Sequence, residues 1–179
     1  YRARDLETRD EVAVKLLIAG RSVDPELRTR FEREAIVMAK LRGTSAAYVH
    51  GLGQSEGGRV FIVMELLRGG DLESFLKKAE ERGGRLKQSR MLELLRPIAS
   101  TLGAAHKLGI VHRDLKPSNI FVVEAEHGGG VGLMDFGLAK LMGADSLTAE
   151  GMVAGTPSYI APEAWRGNPR DLDHRIDVY

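Results

Sequence analysis

The sequence has no cysteine among its 179 residues, which excludes disulfides and thiolate metal sites. No apolar run approaches the roughly 20 residues that a membrane-crossing helix needs. The start, Tyr1-Arg2-Ala3-Arg4-Asp5, lacks the hydrophobic stretch of a signal peptide. An excess of one charge is missing too: 26 lysines and arginines stand against 25 aspartates and glutamates, a formal net charge of +1. That balance gives no argument for nucleic acid or for an anionic membrane. Internal repeats and low-complexity tracts are absent. The expectation is a soluble, cytoplasmic protein without a nucleic-acid partner. Its length suits one domain with a sizeable core, or part of a larger one.

What the chain does have is concentrated in one stretch, His112-Arg113-Asp114-Leu115-Lys116-Pro117-Ser118-Asn119, answered by Asp135-Phe136-Gly137. Between the two lie a short apolar run, Ile120-Phe121-Val122-Val123, a glycine turn at Gly128-Gly129-Gly130, and a second run, Val131-Gly132-Leu133-Met134. If the runs pair as an antiparallel hairpin, Asp114, Asn119 and Asp135 converge at one end of it. Two carboxylates, an amide oxygen and Lys116 gathered there suit a divalent cation bound to phosphate oxygens.

The rest of the chain reads as elements that could carry such a site. Glu11 to Ile18 alternates as a strand, with Val12, Val14 and Leu16 on one face and Ala13 and Lys15 on the other. Taken alone, Lys15 is a solvated strand lysine. Asp24 is a good N-cap and Pro25 suits the first position of a helix whose stripe is Leu27, Phe31, Met38 and Leu41. Glu34 falls inside that stripe. A carboxylate aimed at a core is costly unless it meets a cation, and Lys15 is the natural partner.

Gly43 can end the helix. Two strands follow, Tyr48 to Leu52 and Arg59 to Leu67, joined by Gln54-Ser55-Glu56-Gly57-Gly58. Gly69-Gly70-Asp71-Leu72 starts a second helix, with Asp71 as its cap, and Glu80 to Arg85 is an exposed turn. Ser89 opens a long helix with Met91, Leu94, Leu95, Ile98, Leu102 and Ala105 on one face, closed by Gly109. Pro97 lies inside it and should cost about 3 kcal/mol or kink it.

His-Arg-Asp-Leu-Lys-Pro-Ser-Asn, Asp-Phe-Gly, then Gly155-Thr156-Pro157 and Ala161-Pro162-Glu163 resemble the protein kinases in wording and in order. Each tripeptide alone is weak evidence, but four in sequence at workable spacings are strong, and the resemblance covers nearly the whole chain. It implies an α+β, two-lobed fold. Residues 1–67 would be the β-rich small lobe and hinge without the glycine-rich phosphate loop. Residues 68–179 would be the helical large lobe through the activation segment. It also implies that the chain is a fragment cut at both ends, poorly stable and nearly inactive by itself. The wording Arg33-Glu34-Ala35 and the compact turns look like bacterial kinases of the eukaryotic type, many of which carry a membrane segment and an outer sensor elsewhere.

The same resemblance assigns roles. Ala13 would lie against the adenine of ATP, Lys15 would hold the α- and β-phosphates, and the Lys15–Glu34 bridge would mark an active state. Met64 would be the gatekeeper. Glu65 and Leu67 would read the adenine edge through their backbones, Phe121 would pack beneath the ring, and Asp71 would contact the ribose or a basic substrate residue besides capping its helix. Asp114 would be the catalytic base and Lys116 would reach the γ-phosphate. Asn119 and Asp135 would each hold a Mg2+, which prefers few carboxylates, where zinc would want histidine or cysteine.

Lys116 and Thr156 fit protein substrates with serine or threonine acceptors. Arg113 would grip a phosphorylated activation loop, with Thr148 or Ser146 as the acceptor. Asp177 would support the turn at His112-Arg113. Two departures stand out. Ser118 replaces a glutamate common in kinases that prefer basic substrates, and Gly43-Thr44-Ser45-Ala46-Ala47 replaces the usual stretch before the strand around His50, leaving that strand's register open. The rival readings are a pseudokinase scaffold, which predicts decay at Lys15, Asp114, Asn119 or Asp135, and a small-molecule phosphotransferase, which lacks the segment ending in Ala161-Pro162-Glu163.

Overall fold

A computed structural model describes residues 1–17, 25–136, 157–165 and 172–179. A sheet-rich first part is built on four antiparallel strands in the order β1-β2-β4-β3. They are β1 (Arg2–Arg4), β2 (Glu11–Leu16), β3 (Val49–Gln54) and β4 (Val60–Glu65). Helix α1 (Pro25–Lys40) packs on β3. It begins at Pro25 as expected, while Asp24 lies outside the described residues. Phe31, Ala35, Met38 and, just past its end, Leu41 are buried, with Glu34 among them.

Boundaries of three strands differ from the sequence expectation. β2 ends at Leu16, and Ile18 is outside the described residues. β3 begins at Val49 instead of Tyr48 and runs on through Gln54, because it carries a bulge. Val49 faces Met64 while Gly51 faces Val63, which leaves His50 as the extra residue. This settles the register around His50. β4 stops at Glu65, so Leu66, Leu67 and Arg68 leave the sheet as the link to the second part.

That second part holds a three-stranded sheet in the order β5-β6-β7, made of β5 (Gly69–Asp71), β6 (Ile120–Val123) and β7 (Val131–Leu133). The expected hairpin forms, with Ile120 opposite Leu133 and Val122 opposite Val131. Strand β5 was not foreseen. Gly69 has φ +145°, and a Cβ there would lie 2.1 Å from the Val122 carbonyl oxygen. Only glycine allows so close an approach, and that approach is what pairs the segment with β6.

Helices α2 (Leu72–Glu81) and α3 (Gln88–Lys107) complete the helical part. α3 starts one residue before Ser89, behind Lys87 as N-cap. Its buried stripe is Leu94, Ile98, Thr101, Leu102 and Ala105. Leu95 is 38% exposed, since it stands further round the helix than that stripe reaches. The helix continues through Pro97 without a break. It ends on Gly109, whose N–H meets His106 O at 3.0 Å while Ile110 N–H meets Ala105 O at 2.9 Å. These are the paired bonds of a Schellman stop, with Gly109 at φ +71°.

Thr101 joins the two parts. Its hydroxyl donates to Pro97 O at 2.9 Å and accepts the Ser45 N–H at 2.9 Å. The same loop is stitched to β7: Leu133 N–H reaches Ser45 O at 2.6 Å and Ala47 N–H reaches Leu133 O at 3.0 Å. One core runs through both parts, from Ile62 and Met64 to Leu94, Leu133 and Phe136. Replacing Thr101 by valine should therefore destabilise the full-length protein by about 1–3 kcal/mol, because the shape is kept and the Ser45 N–H loses its acceptor. Urea unfolding of Thr101→Val against Thr101→Ser measures this, and equal midpoints for valine and wild type would show that the bond does not hold the loop.

Candidate active site

The loop after α3 is shaped by one buried carboxylate. The Asp177 side chain is fully buried. Its Oδ2 accepts the His112 N–H and its Oδ1 the Arg113 N–H, each at 2.8 Å, and His106 Nε2 lies 2.7 Å from Oδ2. Arg113 is held at φ +65°, a left-handed conformation that costs a non-glycine residue about 1 kcal/mol or more. Two charge-assisted bonds to its own and the preceding N–H are what hold it there.

His112 then ties this loop to the strand end that carries Asp135. Its Nε2 lies 3.1 Å from Met134 O, and its Nδ1 accepts the Asp114 N–H at 3.3 Å. An acceptor at Nδ1 makes Nε2 the donor, so the ring is neutral. Burial pushes its pKa below the ordinary imidazole value, against the opposing pull of the Met134 carbonyl and of Asp177, Asp114 and Asp135. The ring also packs against Phe136, with centroids 4.7 Å apart.

Around Asp114 the expected cluster forms. Lys116 Nζ is 3.2 Å from Asp114 Oδ2. Asn119 Nδ2 donates to Asp114 O at 2.7 Å and to Oδ2 at 3.2 Å. With the amide nitrogen so engaged, the side-chain acceptor left to Asn119 is its Oδ1. Met134 N–H bonds Asn119 O at 2.9 Å, which sets the start of the next motif beside the end of the first.

Asp135, also left-handed at φ +52°, meets the sheet-rich part through Lys15. Lys15 Nζ is 2.6 Å from Glu34 Oε1 and 2.5 Å from Asp135 Oδ1. The pairing read from the helical stripe is therefore present, with Asp135 added to it. Burial pushes the Glu34 pKa up, and Lys15 only partly offsets this. For Lys15, burial pulls the ammonium's pKa down, but Asp135 and Glu34 together outweigh it and the pKa is raised.

The structure places the remaining expected positions as follows. Ala13 pairs with Met64 across β2 and β4, and Met64 is buried in the core. Glu65 accepts the Tyr48 N–H through its carboxylate at 2.6 Å, so its side chain holds β3. Phe121 stands opposite Gly132 on the hairpin and opposite Asp71 on the other side. Both carboxylate oxygens of Asp71 bond Ser74, one to its N–H and one to its hydroxyl, each at 2.8 Å, so capping of α2 is the role its geometry displays. Leu67 packs toward Gly132. Ser146, Thr148 and Thr156 lie outside the described residues.

Three contributors were missed in the sequence. His106 reads as an ordinary basic residue in a helix's last turn, and its partner Asp177 is far along the chain. Thr101 reads as a polar gap in a stripe. Arg68, the last residue of the link between the two parts, bonds the Glu11 carboxylate of β2, which Arg2 also holds at 2.8 Å. No local pattern marks any of these.

A sheet-rich part and a helical part meeting at this loop define a class, and the chain belongs to the protein kinase family, whose protein kinase domain matches residues 1–179. It is similar to the serine/threonine-protein kinase PknL of Mycobacterium bovis, 38% identical over all of this chain and 42% of the relative. It is also similar to the serine/threonine-protein kinase PknA of Mycobacterium tuberculosis, 42% identical over 94% of this chain and 38% of the relative. The serine/threonine-protein kinase pkn3 of Myxococcus xanthus is 37% identical over all of this chain and 32% of its own length. The chain thus spans less than half the length of these curated relatives.

The neutral His112 has a measurable consequence. Below about pH 6.5 an unfolded chain takes up a proton that the folded chain excludes, so stability should fall as pH drops from there toward the depressed folded pKa. In His112→Asn that part of the pH dependence should vanish. Denaturation midpoints at pH 7.5 and 5.5 test it: identical pH slopes in the two proteins would mean His112 is not held neutral.

Proposed function

We propose that this protein is an ATP- and magnesium-dependent serine/threonine protein kinase that moves the γ-phosphate of ATP to a hydroxyl of a protein substrate. The observation that carries the reading is the pair of linked clusters, Glu34–Lys15–Asp135 and Lys116–Asp114–Asn119, contributed by both parts of the fold. Phosphoryl transfer needs little covalent chemistry from a protein. It needs the phosphates fixed, their charge offset and the attacking hydroxyl aimed.

Each residue has work suited to its surroundings. Lys15, oriented by the buried Glu34, exchanges its contact with Asp135 for the α- and β-phosphates. Asp114 receives the substrate hydroxyl and orients or accepts its proton. Lys116, already beside Asp114, offsets charge on the γ-phosphate. The backbones of Glu65 and Leu67 meet the adenine edge, Ala13 and Phe121 lie on its two faces, and Met64 closes the back.

The donor set fits magnesium: the Asn119 amide oxygen and the Asp135 carboxylate are few and hard, leaving the other positions to water and phosphate. When bound, the ion would neutralise developing charge on the phosphates. Among the described residues, no group of three or more His, Asp and Glu is gathered as a metal cage, in keeping with an ion held partly by its nucleotide. A pseudokinase scaffold would be expected to have lost one of Lys15, Asp114, Asn119 and Asp135, and all are in place. Dependence on ATP puts the reaction in the cytoplasm, with any membrane anchor contributed by other segments of a longer protein.

Regulation follows from Arg113. Burial lowers its pKa, with Asp177 opposing, and among the described residues its guanidinium has no ion pair. A phosphate on Thr148 or Ser146 would supply one and order the activation segment.

Two measurements test this. Asp114→Asn in the full-length protein should lower kcat for a serine-containing protein substrate by about 10²–10⁴ with little change in ADP affinity; an undiminished transfer rate would sink the reading. Incubation with Mg-ATP followed by phosphosite mapping should find Thr148 or Ser146 modified in wild type and not in Asp114→Asn, and finding neither site modified in wild type would reject autoactivation through Arg113.

A further inference from the structure

The hinge, Leu66 to Arg68, is fastened to the helical part by contacts that neither the motifs nor the proposed chemistry require. An ideal Cβ on Gly132 would lie 2.4 Å from Leu67 Cδ1, with Cγ at 3.7 Å and Cδ2 at 3.8 Å. Leu67 thus occupies the space that a side chain at position 132 would take. Gly132 is directly opposite Phe121 in the β6–β7 pair, and cross-strand partners share a face. The vacancy is therefore beside Phe121, and the hinge fills it. The next residues are fixed as closely: Arg68 O accepts the Glu124 N–H at 2.9 Å, and Gly69 lies flat against Val122.

We propose that Gly132 and Leu67 form a socket and plug that set the hinge's position over the β6–β7 hairpin, making Gly132 a positioning residue for the adenine of ATP. This rests on the kinase reading above. The backbone of Leu67 is one of the two that read the base, so a displacement of Leu67 that carries into its backbone moves a nucleotide contact. A methyl group at 132 collides with the end of a flexible side chain and not with backbone, so the fold survives and Leu67 yields. The consequence falls on binding of the base, far from Asp114 and the transferred phosphate, and so on KM more than on kcat.

The test uses the full-length protein, with ADP affinity measured by calorimetry and ATP kinetics measured alongside. Gly132→Ala should weaken ADP binding and raise KM for ATP by about fivefold, with a smaller change in kcat. Leu67→Ala, which empties the socket, should do the same to a similar degree. The double variant should bind ADP better than either single one, because the new methyl takes part of the space the leucine left, a non-additivity expected only of groups in contact.

Singles without effect, or a double variant whose losses add, would overturn the socket. If Gly132→Ala does not fold, Leu67→Ala decides alone, and unchanged ADP affinity there overturns it. A wild type that neither binds ADP nor transfers phosphate from ATP would sink the kinase reading and this inference with it, whereas an active wild type with indifferent variants sinks only the socket.

Discussion

Everything in this structure that bears on chemistry depends on a single ammonium group shared by two carboxylates. Lys15 extends from a strand, Glu34 from a helix and Asp135 from a loop of the other part, and they meet within 2.6 Å. Glu34 is largely removed from water, and its unpaired charge in the core would be expensive. The helix α1 can therefore sit with its apolar stripe buried only if Lys15 comes to it. Lys15 and Asp135 are more open, so solvent screens that second contact and leaves it exchangeable. One half of the arrangement is structural and the other half is replaceable, which is what the proposed nucleotide site would require of its lysine.

A second constraint works at a distance. Asp177 is spent on the His112 and Arg113 N–H groups and on His106. Its effect is to hold Arg113 left-handed, and through His112 to fix the spacing between the Asp114 loop and Met134-Asp135. Buried polar groups that are fully satisfied rigidify what surrounds them. The strain at Arg113 and Asp135 lies next to the functional groups and is maintained by anchors behind them.

The family was easier to read in the sequence than the details of the architecture. The four motifs stood in order, and the hairpin followed from two apolar runs and three glycines. Glu34 could be paired with Lys15 because a carboxylate inside a hydrophobic stripe demands a cation. What escaped was non-local or a matter of fit. β5 looks like a turn before a helix, since Gly-Gly-Asp carries both signals and its partner strand comes much later. The bulge at His50 depends on the facing strand, not on its own residues. Thr101 interrupts an apolar stripe and would be called polar surface, yet it is 1% exposed. Arg68 reaching Glu11 and Leu67 reaching Gly132 are contacts that no periodicity encodes.

The stitching of residues 45–47 to β7 has a mechanical consequence. The sheet-rich part joins the helical part covalently through Leu66–Arg68 and non-covalently through Ser45, Ala46 and Ala47 on Leu133. With the Thr101–Ser45 bond and the continuous core beside them, these fastenings resist sliding of one part over the other. The Lys15–Asp135 contact bridges the same two parts through groups open to solvent, so it is the fastening that water releases most readily.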